Sequence, residues 1–328
     1  MYYIFVTLLL FAFLIMYFKI ADKYNIIDKP NHRSAHTEIT LRGGGVIFPI
    51  AFLLFLGSQI IQQKSLISPQ NYFIFGIGLL AICIISFIDD ILDLSSKIRL
   101  VFHFISVSLL LCFINAFQLL PIWSIPILFI VIIGILNAYN FMDGINGMTG
   151  LYSLVTLGSL LYINQNFIAF TDNNFIIYPI IASLVFLFFN FRKKAKCFMG
   201  DIGSMGVAFW IIALLALLIL RAKDIKYVLF LSVYGTDVVL TILERLKLKE
   251  NIFEAHRRHL YQLFSNEKKV SHLVVSAIYA FLQLLINVIV ILLDLPIWLI
   301  FASIIIPILI IYLVIKTNIK KEIQSNKI

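Results

Sequence analysis

Charge is what this chain has least of. Asp, Glu, Lys and Arg supply only 13% of its 328 residues, whereas a soluble domain is about a quarter charged. Hydrophobic residues reach 61%. No soluble core of this size can hide so much apolar surface, so a bilayer must solvate most of it. Cysteine is scarce as well. Cys83, Cys112 and Cys197 lie far apart, two of them in apolar runs, which excludes a disulfide framework or a cysteine metal site and predicts small buried hydrophobes. A removable leader is missing: residues 1–18 are apolar, yet no basic residue precedes them and no small-residue cleavage site follows. Lys19 and Lys23 come after, which predicts a first span with its N-terminus outside. There is no soluble domain, repeat or low-complexity linker.

What the chain does have is apolar runs of span length, about 20 residues each. Eleven candidates fall at 1–18, 44–62, 71–88, 100–117, 121–137, 148–164, 175–190, 204–220, 227–243, 271–293 and 295–315. The fold class expected is an all-α polytopic membrane protein of ten to eleven transmembrane helices. The net charge of +9 and pI near 9.4 read as basic inner loops rather than nucleic-acid binding. With the N-terminus outside and the C-terminus cytoplasmic, 22 of the 26 Lys and Arg fall inside. Asp89, Asp90, Asp93, Asp143 and Asp201 then gather on that same inner side, although no acid entered the assignment. A structural anchor gives no reason for such gathering; a catalytic surface does.

Five inner segments carry the chemistry, at about 19–43, 89–99, 138–147, 191–203 and 244–270 of a single integral-membrane catalytic domain. The first runs from Asp28 through His36 to Arg42 and Gly43-Gly-Gly45. Cations beside glycines suit close approach of a phosphate, or else form a positive-inside loop with a hinge. The second holds the pair Asp89-Asp90, then Lys97 and Arg99. Adjacent carboxylates at a membrane boundary repel and call for a cation or a proton; a solvated helix end is the alternative. In the third, Asn140, Asp143, Gly144, Asn146 and Gly147 break a helix with amides and a carboxylate able to read nucleotide or sugar hydroxyls. The fourth sets Asp201 between glycines after the basic run Arg192-Lys-Lys194, as a Mg²⁺ ligand would sit. The fifth reads His256-Arg257-Arg258-His259-Leu-Tyr261-Gln262, whose cations can neutralise a diphosphate or rest on acidic lipid. Asp237, inside a span, is a functional candidate by default or a partner for Arg245 or a backbone group. His103 and His272 read as structural.

The order Asp89-Asp90, Asn140-Phe-Met-Asp143-Gly144, Phe198-Met-Gly200-Asp201 and a late histidine loop resembles the polyprenyl-phosphate N-acetylhexosamine-1-phosphate transferases, glycosyltransferase family 4. The phospho-MurNAc-pentapeptide translocase belongs to the same superfamily. The likeness runs from Asp28 to Gln262. It departs where Tyr261 and Gln262 replace further histidines, and looks closest to the branch that initiates O-antigen or capsule.

The resemblance implies a Mg²⁺-dependent phosphotransferase, with Mn²⁺ as an alternative ion. Its substrates would be a UDP-amino sugar, UDP-GlcNAc or a relative, and undecaprenyl phosphate, with UMP released. The setting would be the bacterial-type inner membrane, facing the cytoplasm, without nucleic acid and with a homodimer as one assembly. Asp201 would hold the metal. Asp89, Asp90, Lys97, Asp143 and His259 would be catalytic, and Arg42, Asn140, Asn146, His256, Arg257 and Arg258 would bind substrate. The alternatives are a pentapeptide-type translocase and, from another class, a secondary transporter, whose acids would lie near the membrane midplane.

Overall fold

The computed structural model describes residues 2–28, 39–61, 71–92, 94–251 and 256–325. Residues 29–36 of the first basic segment, Asp93 and Lys64 lie outside them.

Among the described residues ten helices are long and apolar enough to cross a membrane, and the chain is a multi-pass membrane protein. In chain order the long helices are α1 (Tyr2–Lys23), α2 (Ile47–Ile61, which a 3₁₀ turn extends back to Gly44), α3 (Tyr72–Leu92), α4 (Ser96–Phe113) and α5 (Ile125–Met142). Then come α6 (Met148–Asn166), α7 (Asn173–Asn190), α8 (Gly200–Ala222), α9 (Ser232–Lys247), α10 (His272–Leu292) and α11 (Ile297–Ser325). Among them only α6 falls short of the ten in apolarity. Its Thr149, Tyr152, Ser153, Thr156 and Ser159 are buried against protein instead of facing lipid. Tyr152 donates to Oε1 of Gln283 at 2.5 Å, and Asn287 donates to Oγ of Ser159 at 2.9 Å. The Tyr152 and Ser159 hydroxyls, costly in hydrocarbon, are thereby satisfied inside the bundle.

The axis of the bundle is α8, 83% buried over its apolar window, while α11 at the edge is only 17% buried. Around Trp210 of α8 pack Phe52, Phe55, Phe75 and Phe175, the rings 4.9–5.9 Å apart in tilted and edge-on pairs. The indole N–H of Trp210 donates to the carbonyl of Phe175 at 3.0 Å. Cys83 and Cys197 are buried as expected; Cys112 is exposed instead, on an outer face where lipid takes the place of a core.

A two-residue antiparallel ribbon, β1 (Ile27–Asp28) with β2 (Thr40–Leu41), precedes α2. It sets Arg42 and the three glycines against the start of α8.

Candidate active site

Three helix ends meet at one end of the bundle. Asp89 and Asp90 ride the last turn of α3, Asn140 the last turn of α5, and Asp201 the first turn of α8. The backbone of Asp201 donates to Oδ2 of Asp90 at 2.9 Å, and Asn140 donates to Oγ of Ser204 at 3.2 Å.

Glycines make this approach possible. The amides of Gly44 and Gly45 donate to the carbonyls of Phe198 and Met199 at 2.8 and 2.9 Å. A Cβ on Gly45 would lie 2.1 Å from the Gly203 Cα. Gly200 has φ +71, and a Cβ there would come 2.6 Å from Oδ2 of Asp90, so no other residue fits that turn without strain.

The adjacent aspartates take different partners. Asp89 accepts from the Leu94 amide at 2.8 Å and from the Arg99 guanidinium at 2.9 Å. Asp90, its side chain 1% exposed, lies 2.6 Å from the Arg42 guanidinium, which is also 3.6 Å from Asp201. Burial works against the charge of Arg42, but Asp90 and then Asp201 outweigh it and hold the guanidinium above its ordinary range. One cation therefore serves two carboxylates. A third, Asp143, follows the end of α5; burial pushes its carboxyl up to about 7, the charge on Asp201 adding to the rise.

The histidine loop closes the opposite side. His259 is 2% exposed, and its Nδ1 lies 3.2 Å from Oδ1 of Asp237 on α9. Tyr261 stacks on the His259 ring at 5.7 Å and donates to the carbonyl of Phe141 at 2.9 Å. Gln262 accepts from the His259 amide at 3.2 Å. The two residues that stand where further histidines were expected thus hold His259 in place. His256 lies 4.9 Å from His259, ring to ring. Burial, then the neighbouring His259 and arginine charges, lower it to about 4, so it is neutral near pH 7.

Between these elements lies a cleft of about 590 Å³. Asp89, Asp201, Asn140, His256 and His259 line its polar part, and Ile85, Leu100, Ile133, Met205 and Ile242 its apolar wall. Arg99 and His103 also line it. His103 read as structural in the sequence; its spacing of four from Arg99, one face of a helix, is the signal that places it here. Lys97 is exposed on the first turn of α4, and Arg257 is half-buried in the histidine loop.

Two expected ligand-binding groups are engaged elsewhere. Asn146, 5% exposed, spends its amide on the carbonyls of Arg192 and Lys193 at 2.8 and 3.4 Å. Its side-chain N–H groups tie the segment after α5 to the segment after α7, while its Oδ1 has no hydrogen-bond partner among the described residues. Arg258 pairs with Glu244 at 3.2 Å and with Glu250. Asp237 pairs with His259, not with Arg245.

Among the described residues no three metal-ligating side chains converge. Asp201, its side chain a quarter exposed, and the mutual repulsion around it fit the open mode of Mg²⁺. That ion takes one or two carboxylates and completes its shell with water and phosphate.

The multi-pass bundle thus gathers acids, an arginine and histidines around one cleft at its rim. Residues 72–219 match the family described as glycosyl transferase family 4. A probable undecaprenyl-phosphate N-acetylglucosaminyl 1-phosphate transferase of Bacillus subtilis is 26% identical, over 79% of this chain and 76% of that one. An undecaprenyl-phosphate α-N-acetylglucosaminyl 1-phosphate transferase of Thermotoga maritima is 25% identical, over 75% of each. A phospho-N-acetylmuramoyl-pentapeptide-transferase of Petrotoga mobilis is 31% identical, over 50% of this chain and 56% of that one.

Proposed function

We propose that this protein transfers an N-acetylhexosamine-1-phosphate from a UDP-sugar to undecaprenyl phosphate at the cytoplasmic face of a bacterial inner membrane, releasing UMP. The observation that carries the reading is the cleft itself. Carboxylates and cations face each other at its rim, and an apolar wall of isoleucine, leucine and methionine continues from them. A ligand with a polyphosphate head and a prenyl tail needs both halves. Acids at helix ends also argue against a carrier with a midplane site.

In this reading an oxygen of the lipid phosphate attacks the β-phosphorus of the UDP-sugar. The bond from that phosphorus to the bridging oxygen breaks, and UMP leaves with the oxygen and its electron pair. One phosphoanhydride replaces another, so the balance is near even and the barrier is the meeting of two polyanions. Arg42, Arg99 and His259 offset that repulsion from three sides. Asp89 or Asp90 takes the proton of a singly ionised lipid phosphate, and Asn140 and Asp143 hold the nucleotide. Asp201, with Asp90 beside it, would hold Mg²⁺ or Mn²⁺, which when bound supplies charge neutralisation at the phosphates.

The test uses purified protein in detergent with undecaprenyl phosphate, Mg²⁺ and a panel of UDP-sugars, scoring UMP. UDP-MurNAc-pentapeptide belongs in the panel because of the Petrotoga relative. Release that needs lipid and metal, and falls by about 100-fold or more in Asp201→Asn, is the expected result. Well-folded protein that releases no lipid-dependent UMP with any sugar would refute the reading.

A further inference from the structure

His259 has one ring nitrogen accounted for and one that is not. Nδ1 meets Oδ1 of Asp237 at 3.2 Å. Nε2 is buried and has no hydrogen-bond partner among the described residues, and the residue lines the cleft. An unbonded polar atom inside protein is costly unless something arrives to meet it.

Asp237 is a hub. Its Oδ1 accepts from the Leu260 amide at 3.1 Å, from Tyr312 at 3.0 Å and from Thr241 at 3.3 Å. Its Oδ2 accepts from Tyr279 at 2.7 Å. Every neighbour offers a proton to a carboxylate, and none needs one from it. The donors come from α9, α10, α11 and the histidine loop, so the carboxylate is fixed from four sides. It is 1% exposed and lies within a span, where a lone anion would be expensive. A cation must answer it, and the group in contact is His259.

We propose that Asp237 is a positioning residue that keeps the His259 imidazole charged and oriented, with its Nε2–H aimed into the cleft at the diphosphate of the nucleotide sugar. This rests on the function proposed above. With Nδ1–H held by Asp237, a neutral ring would present the Nε2 lone pair to an anion and repel it. A charged ring presents a donor, and its charge-assisted bond to phosphate is roughly twice as strong as a neutral one. The neighbouring histidine supports the division of labour. The Arg258 amide donates to Nδ1 of His256 at 3.3 Å, so that nitrogen carries no proton and His256 stays neutral. Two charged rings 4.9 Å apart would oppose each other.

Other charges face the pair and set its titration. Tyr261 stacks on the ring, and Arg258 lies in the same loop. From α9 come Glu244 and Arg245; from α10 comes Tyr279. From α11 come Tyr312 and Lys316, which lies 3.0 Å from Glu244. Across the cleft stand Asp89 with Arg99, Asp201, and His103. In both Asp237→Asn and the native protein all of these are the same, so a difference in pH dependence reports the Asp237 charge.

The experiment is the pH dependence of kcat from pH 6 to 10, with undecaprenyl phosphate and the UDP-sugar that the native protein uses. Asp237→Asn keeps the shape of the side chain and removes its charge. Its basic limb moves down by about one to two pH units, and kcat at pH 8 falls about 10- to 100-fold while much of the loss is recovered at pH 6. In a His259→Gln background the same change costs less than twofold. Asp237→Glu, which keeps the charge, leaves the limb where the native one is and carries the test should the Asn variant fold poorly. A native-like profile in Asp237→Asn, an equal loss in the His259→Gln background, or a limb in Asp237→Glu as low as that expected for Asn each overturns the proposal. Inactivity of the native protein with every sugar would instead refute the underlying function, and the two failures are distinct.

Discussion

The amide of Asp201 donates to Oδ2 of Asp90 across 111 positions of sequence, at 2.9 Å. Two carboxylates that should repel are thus linked through one backbone N–H, with Arg42 bridging them from outside. Asp90 is therefore both part of the site and a bracket between α3 and α8. Asp90→Ala leaves the Asp201 amide without an acceptor and the guanidinium with Asp201 alone at 3.6 Å, and lowers stability by on the order of 1–3 kcal/mol. Asp90→Asn still offers an acceptor to the amide, so it keeps most of that stability yet loses the charge. Thermal unfolding in detergent separates the two: a large fall in Tm for Ala, a small one for Asn, and loss of UMP release in both.

Asp143 gives a pH dependence of definite sign. Folded, it keeps its proton to about pH 7; unfolded, it releases it near pH 3.9. Between those values the folded state binds more protons, so the stability from this group is full below about pH 4 and is lost as pH rises through 7. Asp143→Asn removes the effect. Relative to native, the variant should gain on the order of 2 kcal/mol between pH 4.5 and 8, read as a Tm difference that opens with pH. A constant difference would refute the burial argument.

The contact of Gly45 with Gly203 tolerates nothing larger. Gly45→Ala places a Cβ 2.1 Å from backbone and should leave little folded protein in the membrane fraction. Gly57→Ala, with nothing within 4 Å of its Cβ, should behave as native. Comparable yields of both would disprove the close packing of α2 against α8.

Glu244 gathers Arg258, Lys316 and Lys320, joining the histidine loop to α11. Glu244→Gln should destabilise by about 1 kcal/mol, because partly exposed pairs are weak. The loss should shrink as salt screens it. Equal Tm differences in 20 mM and 500 mM salt would contradict an ionic origin.

Much of this was legible beforehand, for physical reasons. Length and apolarity mark spans because the bilayer demands both, and the tight turn before Pro296 is visible as a break between two runs. The cluster of Asp89, Asn140 and Asp201 was legible because inner loops must share one side. Partner choice was not legible. Asp237 stands eight residues from Arg245 and 22 from His259, and only the fold selects the distant one. Asn146 has the chemistry of a ligand reader, yet the carbonyls of Arg192 and Lys193 claim it first. The polar character of α6 also hides its reason in sequence, since Gln283 and Asn287 lie over a hundred residues away.

One feature of α11 reaches beyond the site. At 29 residues the helix is about 44 Å long, against a hydrocarbon layer of about 30 Å, and it faces lipid along most of its length. A helix longer than the layer tilts to fit it. Midway along this one, Tyr312 touches Asp237, and one turn and two turns further on Lys316 and Lys320 are latched to Glu244. A change in the thickness of the surrounding membrane would therefore tilt α11 and shift the carboxylate that faces His259.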